Sequence, residues 1–223
     1  MSQSLKIAII GDYNFTYNSH HATNLAIDHS AQFLDIDVNY YWIKLSEFVS
    51  YRPQQIQQFD GLWVAPGPIQ NKFFLHGIIK EIIGKETPTL ITGDAYKTLL
   101  DVLISTYQLN TNNEKLISDN LVEGEQFEKL IISPHTAAFQ KLYENYSNIE
   151  LTATRYSLYP QLIHQLSDSI VDIEAYNQFE DPEIISLKNK KFFLGCGFCP
   201  QISSTREIPH PIIYTFMKAC MLK

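Results

Sequence analysis

Cysteine is scarce in this chain, and positive charge is in deficit. The 223 residues hold three cysteines, Cys196, Cys199 and Cys220, an odd number too small for a disulfide framework and suited to a reducing compartment. Lys and Arg number 17 against 24 Asp and Glu, a formal charge of −7. That balance points away from nucleic acid or an anionic membrane surface as the main partner. No stretch reaches the ~18 consecutive apolar residues of a spanning helix, and residues 1–6 lack the pattern of a leader. Internal repeats, low-complexity tracts, linkers and a phosphate-binding Gly-x-x-x-x-Gly-Lys loop are also missing. A cytoplasmic protein is expected. With 45% hydrophobic residues the chain can bury a full core, so residues 1–223 are expected to form one domain.

Cys196 and Cys199 form a C-x-x-C, but residues 191–198 read as a buried strand. Side chains alternate faces along a strand, so residues three apart point opposite ways. The spacing therefore suits neither a redox pair nor a zinc site. His76, His135 and His164 show no ligand spacing, His29 falls on an apolar helix face, and His210 between two prolines reads as a helix-start residue. No metal and no cofactor are expected.

What is present is a rhythm. Residues 5–10 are an apolar run ending in Gly11-Asp12-Tyr13, the pattern of a central parallel strand. A helix follows, with Ala22, Leu25, Ala26, His29 and Phe33 at helical spacing and Ser19 available as its cap. Further strands are expected at 36–43 and 62–64, the latter running into the turn Ala65-Pro66-Gly67-Pro68. Phe74, Ile78 and Ile82, beside Leu75, Ile79 and Ile83, mark a helix that stops at Gly84. Residues 89–92 lead through Gly93-Asp94 into a helix over 95–106, a sharp strand-turn-helix. Residues 108–150 are polar and read as loops with a short helix at 137–145. Strands at 169–175, 183–187 and 192–198 and a helix over 211–221 complete a three-layer α/β sandwich with a central, mainly parallel sheet.

Several stretches together resemble the glutaminase domain of the CTP synthases, a class I glutamine amidotransferase with a flavodoxin-like fold, and its free-standing bacterial relatives. They are Ile7 to Tyr13 with Ser19-His20-His21-Ala22, then Phe59 to Gly67, then Pro88 to Lys97. Later come Arg155-Tyr156, Phe192-Phe193, Ser203-Ser204 and Pro209-His210-Pro211. The ordered set spans nearly the whole chain, and it implies a place in pyrimidine biosynthesis.

The resemblance implies a cysteine nucleophile on the elbow after residue 92, a His-Pro-Glu near the end, and backbone donors at the Pro-Gly turn. A thiolate attacks the glutamine amide, an imidazole moves protons, and a carboxylate orients the imidazole. Here the three triad positions hold Gly93, Cys199 and Gln201. Pro68 after Gly67 has no N–H to give to an oxyanion hole, and Ala153 stands where the family's carboxylate-binding arginine is implied. A moved nucleophile would use Asp94 or Cys199.

Polar residues converge on the loops at the carboxyl ends of the strands, where open α/β sheets bind ligands. These candidates are Gly67, Asp12, Asn14, His20 and His21; Asp94, Tyr96 and Lys97; and Arg155, Ser203, Ser204 and Arg206. Taken one at a time, each equally reads as a cap or a solvated loop residue. The expectation is a pseudoenzyme that binds a small-molecule ligand or a protein partner. The alternative is an enzyme of changed chemistry on an amino-acid-like or nucleotide-like substrate, using the same rim.

Overall fold

A computed structural model of the chain describes residues 4–110, 114–118 and 127–222. Residues 1–3 of the amino-terminal segment and 111–113 and 119–126 of the polar stretch lie outside the described residues.

The first part repeats strand and helix: β1 (Leu5–Ile10), α1 (Asn18–Leu34), β2 (Val38–Ile43), the single turns α2 (Leu45–Phe48) and α3 (Pro53–Ile56), β3 (Gly61–Val64), α4 (Lys72–Ile83), β4 (Thr89–Thr92) and α5 (Ala95–Tyr107). The second part runs β5 (Glu128–Pro134), α6 (Ala137–Tyr143), β6 (Ile149–Thr152), α7 (Pro160–Ser169), β7 (Val171–Asn177), β8 (Pro182–Leu187), β9 (Phe193–Cys196), α8 (Pro200–Ser203) and α9 (Pro211–Met221).

All nine strands share one sheet in the order β2-β1-β3-β4-β9-β8-β7-β5-β6. The pairings from β2 to β9 are parallel, with Ile7 opposite both Tyr40 and Gly61, and Leu90 opposite Leu194. Those from β9 to β6 are antiparallel. The sheet is thus mixed rather than mainly parallel. Parallel neighbours need a crossover of a dozen or more residues, whereas only residues 178–181 separate β7 from β8.

Alternation along β1 divides the core. Ala8 and Ile10 face a cluster that takes in α4, α5 and α7 through Ile79, Leu99 and Leu162. Ile7 and Ile9 face another, closed by α1 and α9 through Ile27, Phe216 and Met217. The sandwich therefore has its three layers. Trp63, fully buried between them, donates its indole N–H to Thr92 Oγ1 at 3.0 Å and ties β3 to β4 at their carboxyl ends.

Four local expectations are corrected. The buried face of α1 is Ser19, His20, Thr23, Ala26, Ile27 and Ser30, while Leu25 and Phe33 are exposed. The helix also begins one residue before Ser19, with Tyr17 at the cap position and no side-chain cap. Within the stretch read as loops, β5 and β6 pair as an antiparallel ribbon. The strand expected to reach 198 ends at Cys196, so strand alternation does not govern Cys199. All three cysteines are buried, and none forms a disulfide.

Glycines probe this packing. A Cβ added at Gly61 would lie 2.3 Å from Cys220 Sγ and 2.8 Å from Phe216 Cζ, whereas at Gly77, within α4, it would meet nothing within 4 Å. Gly61→Ala is expected to destabilise by about 1–3 kcal/mol through overpacking. Gly77→Ala should stabilise by about 0.4–1 kcal/mol by restricting the unfolded chain. Urea unfolding of the two variants checks both signs.

Candidate functional site

The carboxyl ends of β3, β4, β6 and β9 meet at one cavity. β4 ends at Thr92, and Gly93 turns the chain into α5 at φ 60°, a left-handed conformation that suits glycine. The Gly93 N–H is shared between the carbonyls of Cys196, at 3.1 Å, and Phe198, at 3.0 Å. β3 ends in the turn Pro66-Gly67-Pro68, whose Gly67–Pro68 peptide is cis. On the far side, Thr152 Oγ1 donates to the Gly197 carbonyl at 3.1 Å and the Cys199 N–H to the Leu151 carbonyl at 2.8 Å, which seats Cys199 against β6.

The cavity encloses about 740 Å³ and is lined by Thr16, Tyr17, Asn18 and Ser19 from the start of α1, by Pro66, Gly67 and Pro68, by Gly93 and Asp94, and by Phe127, Ala153, Thr154 and Cys199. Pockets of this size take small organic ligands. Asp94 is the one charged side chain among those lining residues.

Close packing decides what this cavity offers. A Cβ built on Gly93 would lie 2.9 Å from Pro66 Cβ and 3.2 Å from Cys199 Sγ. A Cβ built on Gly67 would lie 2.0 Å from Asp94 Oδ2. The Asp94 carboxyl thus covers the Pro-Gly turn. Burial raises its pKa above the ordinary carboxylate value, with the nearby Thr154 side chain and Lys72 pulling the other way. Thr154 Oγ1 itself is buried without a partner of hydrogen-bond geometry.

Cys199 is no thiolate. Burial, reinforced by the Asp94 charge, pushes its thiol up to about 12, and reactivity resides in the deprotonated form. Gln201 lies beside it, 2% exposed, and neither amide atom has a partner of hydrogen-bond geometry.

Of the residues singled out from sequence, the structure brings Ser19, Gly67, Pro68, Gly93, Asp94, Ala153 and Cys199 to this cavity. The other rim candidates it places elsewhere. His20 is buried behind the turn: its Nδ1 accepts from the Asn14 N–H at 3.0 Å, leaving Nε2–H to donate to the Pro66 carbonyl at 3.1 Å. Burial lowers its pKa, so a neutral imidazole braces the turn. Asp12 lines a small crevice with His20, Asn14 folds its side chain onto Thr16, and His21 is exposed.

Tyr96 is buried and donates to the Pro182 carbonyl at 2.9 Å. Lys97 lies over the Tyr156 ring and Arg155 over the Phe179 ring. Ser203 donates to Glu150 at 3.1 Å, Ser204 accepts from the His210 N–H at 3.2 Å, and Arg206 donates to Gln32 at 2.7 Å.

Two buried carboxylates went unread in the sequence. Glu150 and His210, both fully buried, meet at 2.8 Å, and Tyr143 also donates to Glu150, at 3.2 Å. His210 does start a helix, its Nδ1 accepting from the Ile212 N–H at 3.2 Å. Glu183 is buried beside Gly197, accepts from Asn177 at 2.9 Å and is pushed up to about 8 by burial. The only sequence signal for either is the polar inward position in a strand, and that is invisible until the register is known. Among the described residues no group of His, Cys, Asp and Glu is placed to hold a metal.

The fold is that of a class I glutamine amidotransferase, flavodoxin-like in its layering. It matches the acivicin-bound glutaminase domain of Trypanosoma brucei CTPS with a TM-score of 0.72 at 16% identity, over 99% of this chain and 95% of that one. A glutamine amidotransferase from Methylobacillus flagellatus matches at 0.51 and 8% identity, over 100% and 94%.

Among curated proteins the chain is similar to the CTP synthases of Sulfurisphaera tokodaii, 24% identical, and Sulfolobus acidocaldarius, 23% identical, each over 97% of this chain. It spans 45% of the length of each. No protein-family model matches it. No helix among the described residues is long and apolar enough to cross a membrane.

Two measurements test these buried groups. Gln201→Met should raise the unfolding free energy by about 1–3 kcal/mol, because a buried amide without partners costs that much. A loss on urea denaturation would show that the amide is bonded in solution. Glu183 has a folded pKa of about 8 against an ordinary 4.5, so the folded state holds its proton more tightly. Its contribution is greatest below pH about 4.5 and is lost as pH rises toward about 8. Glu183→Gln should flatten that decline and unfold at a higher temperature than the parent at pH about 8.

Proposed function

We propose that this chain is a glutaminase-like domain that does not hydrolyse glutamine and keeps its cavity for binding a small ligand. The observation that carries this reading is the cross-packing of the two turns: Pro66 and Cys199 close over Gly93, and the Asp94 carboxyl closes over Gly67. Covalent amide hydrolysis needs a nucleophile at the elbow and donors aimed at a developing oxyanion. Residue 93 carries no side chain. The only thiol lining the cavity among the described residues, Cys199, is held protonated.

The electrostatics weigh the same way. One oxyanion-hole donor contributes about 2.7–4 kcal/mol to such reactions. Two like charges about 4 Å apart repel by about 4 kcal/mol at an effective dielectric constant of about 20. An ionised Asp94 over the turn therefore offsets a donor there. Gln201, as a neutral amide, supplies no carboxylate to orient a base.

A second reading, changed chemistry in the same cavity, is favoured by Asp94 alone, a buried carboxyl with a raised pKa at a strand-to-helix elbow. Docking on a synthase partner is compatible with the share of the CTP synthases' length that this chain leaves unmatched. CTP formation is not assigned to these residues.

Purified protein incubated with glutamine should release no ammonia above a heat-treated control. Gly93→Cys should not restore release, and it should lower stability by about 1–3 kcal/mol through overpacking and a non-glycine residue at positive φ. Steady turnover by the parent protein would overturn the reading.

A further inference from the structure

The cavity's charge is one-sided. Asp94 is its only charged lining residue among those described, and Ala153, also in the lining, offers only a methyl group. The carboxyl is not engaged by the helix it precedes, since Asp94 makes no side-chain cap to α5, and no salt bridge reaches it among the described residues. The Thr154 side chain and, at longer range, Lys72 act against the burial of its charge, and a partly buried carboxylate is costly unless it is paired.

The rest of the described lining is uncharged: Pro66, Pro68 and Phe127 supply apolar surface, with Pro66 held by His20 and packed against Gly93.

We propose that this cavity selects its ligand by a cationic head group seated on Asp94, carried on a short apolar body. The ligand class is an alkylamine rather than an alkyl carboxylate. This deepens the reading of the cavity as a ligand site and rests on it. A carboxylate head would face Asp94 with no cation among the cavity's described lining residues to receive it, whereas an ammonium there gains a charge-assisted hydrogen bond.

A matched pair of compounds isolates the head group. 4-Aminobutyramide and glutaramate share three methylenes and a terminal amide, and differ in carrying an ammonium or a carboxylate. Their dissociation constants are measured by NMR titration of the full chain near neutral pH, alongside glutamine, with the parent and Asp94→Asn. Because the Asp94 side chain caps nothing, the variant is expected to keep its fold, checked by circular dichroism.

The expected result is binding of 4-aminobutyramide about tenfold or more tighter than glutaramate, and a loss of about tenfold or more in Asp94→Asn. Equal or tighter binding of glutaramate, or amine binding indifferent to Asp94→Asn, overturns the inference and leaves the cavity as a ligand site of another kind. If none of the three compounds binds, the inference falls and the ligand-site reading falls with it. Should Asp94→Asn fail to fold, Asp94→Glu replaces it. Its longer carboxylate meets Gly67, so amine affinity unchanged in that variant also overturns the proposal.

Discussion

Two turns packed so closely that neither Gly67 nor Gly93 has room for a side chain hold this molecule's functional end together. Gly67 gives its Cβ space to the Asp94 carboxyl, and Gly93 gives its own to Pro66 and Cys199. The constraint is steric before it is chemical, since protein interiors do not hold overlapping atoms. Everything around it serves to keep the turns in contact. Trp63 ties β3 to β4 through Thr92, His20 holds the Pro66 carbonyl from behind, and the Gly93 N–H grips the carbonyls of Cys196 and Phe198. The placement of Asp94, and with it the charge of the cavity, follows from that contact.

Under the proposed reading, a glutaminase-like fold with this constraint has its polarity turned round. A site for acyl transfer gathers donors and a thiolate about a developing negative charge. Here a carboxyl lies where donors would be wanted, the thiol is held protonated, and the residue beside it is a neutral amide with unsatisfied atoms. The fold supports the arrangement without dictating it, because function resides in the site and not in the architecture.

Legibility in the sequence tracked how simple each element's surroundings are. β1, β4 and α9 were readable at their observed bounds because apolar runs are cut off by Gly11, Gly93 and Pro209. The ribbon β5–β6 was not, since Glu150 and Thr152 point inward while Ile131 and Ile149 face out. That inverts the pattern by which strands are recognised. On α1, small polar residues such as Ser19, Thr23 and Ser30 line the buried face, so hydrophobicity alone selects the wrong side. At the site, the elbow and the Pro-Gly turn were legible from local residues. The contact between them was not, because it joins residues 67 and 94, whose proximity is a property of strand order. For the same reason Tyr96, Lys97, Arg155 and the two serines were grouped by loop position, although their side chains engage other partners.

The pair Glu150 and His210 has a consequence for the order in which the site comes into being. Ser203 and Ser204, which follow Cys199 and Gln201, are held by Glu150 on one side and by the His210 backbone on the other. His210 is in turn fixed at the start of α9, whose Phe216 and Met217 sit in the core. Chains emerge from the ribosome amino terminus first, at about 5–20 residues per second. Of the described residues that line the cavity, Cys199 is therefore the last to be synthesised, and the residues that brace its segment through Ser204 come later still.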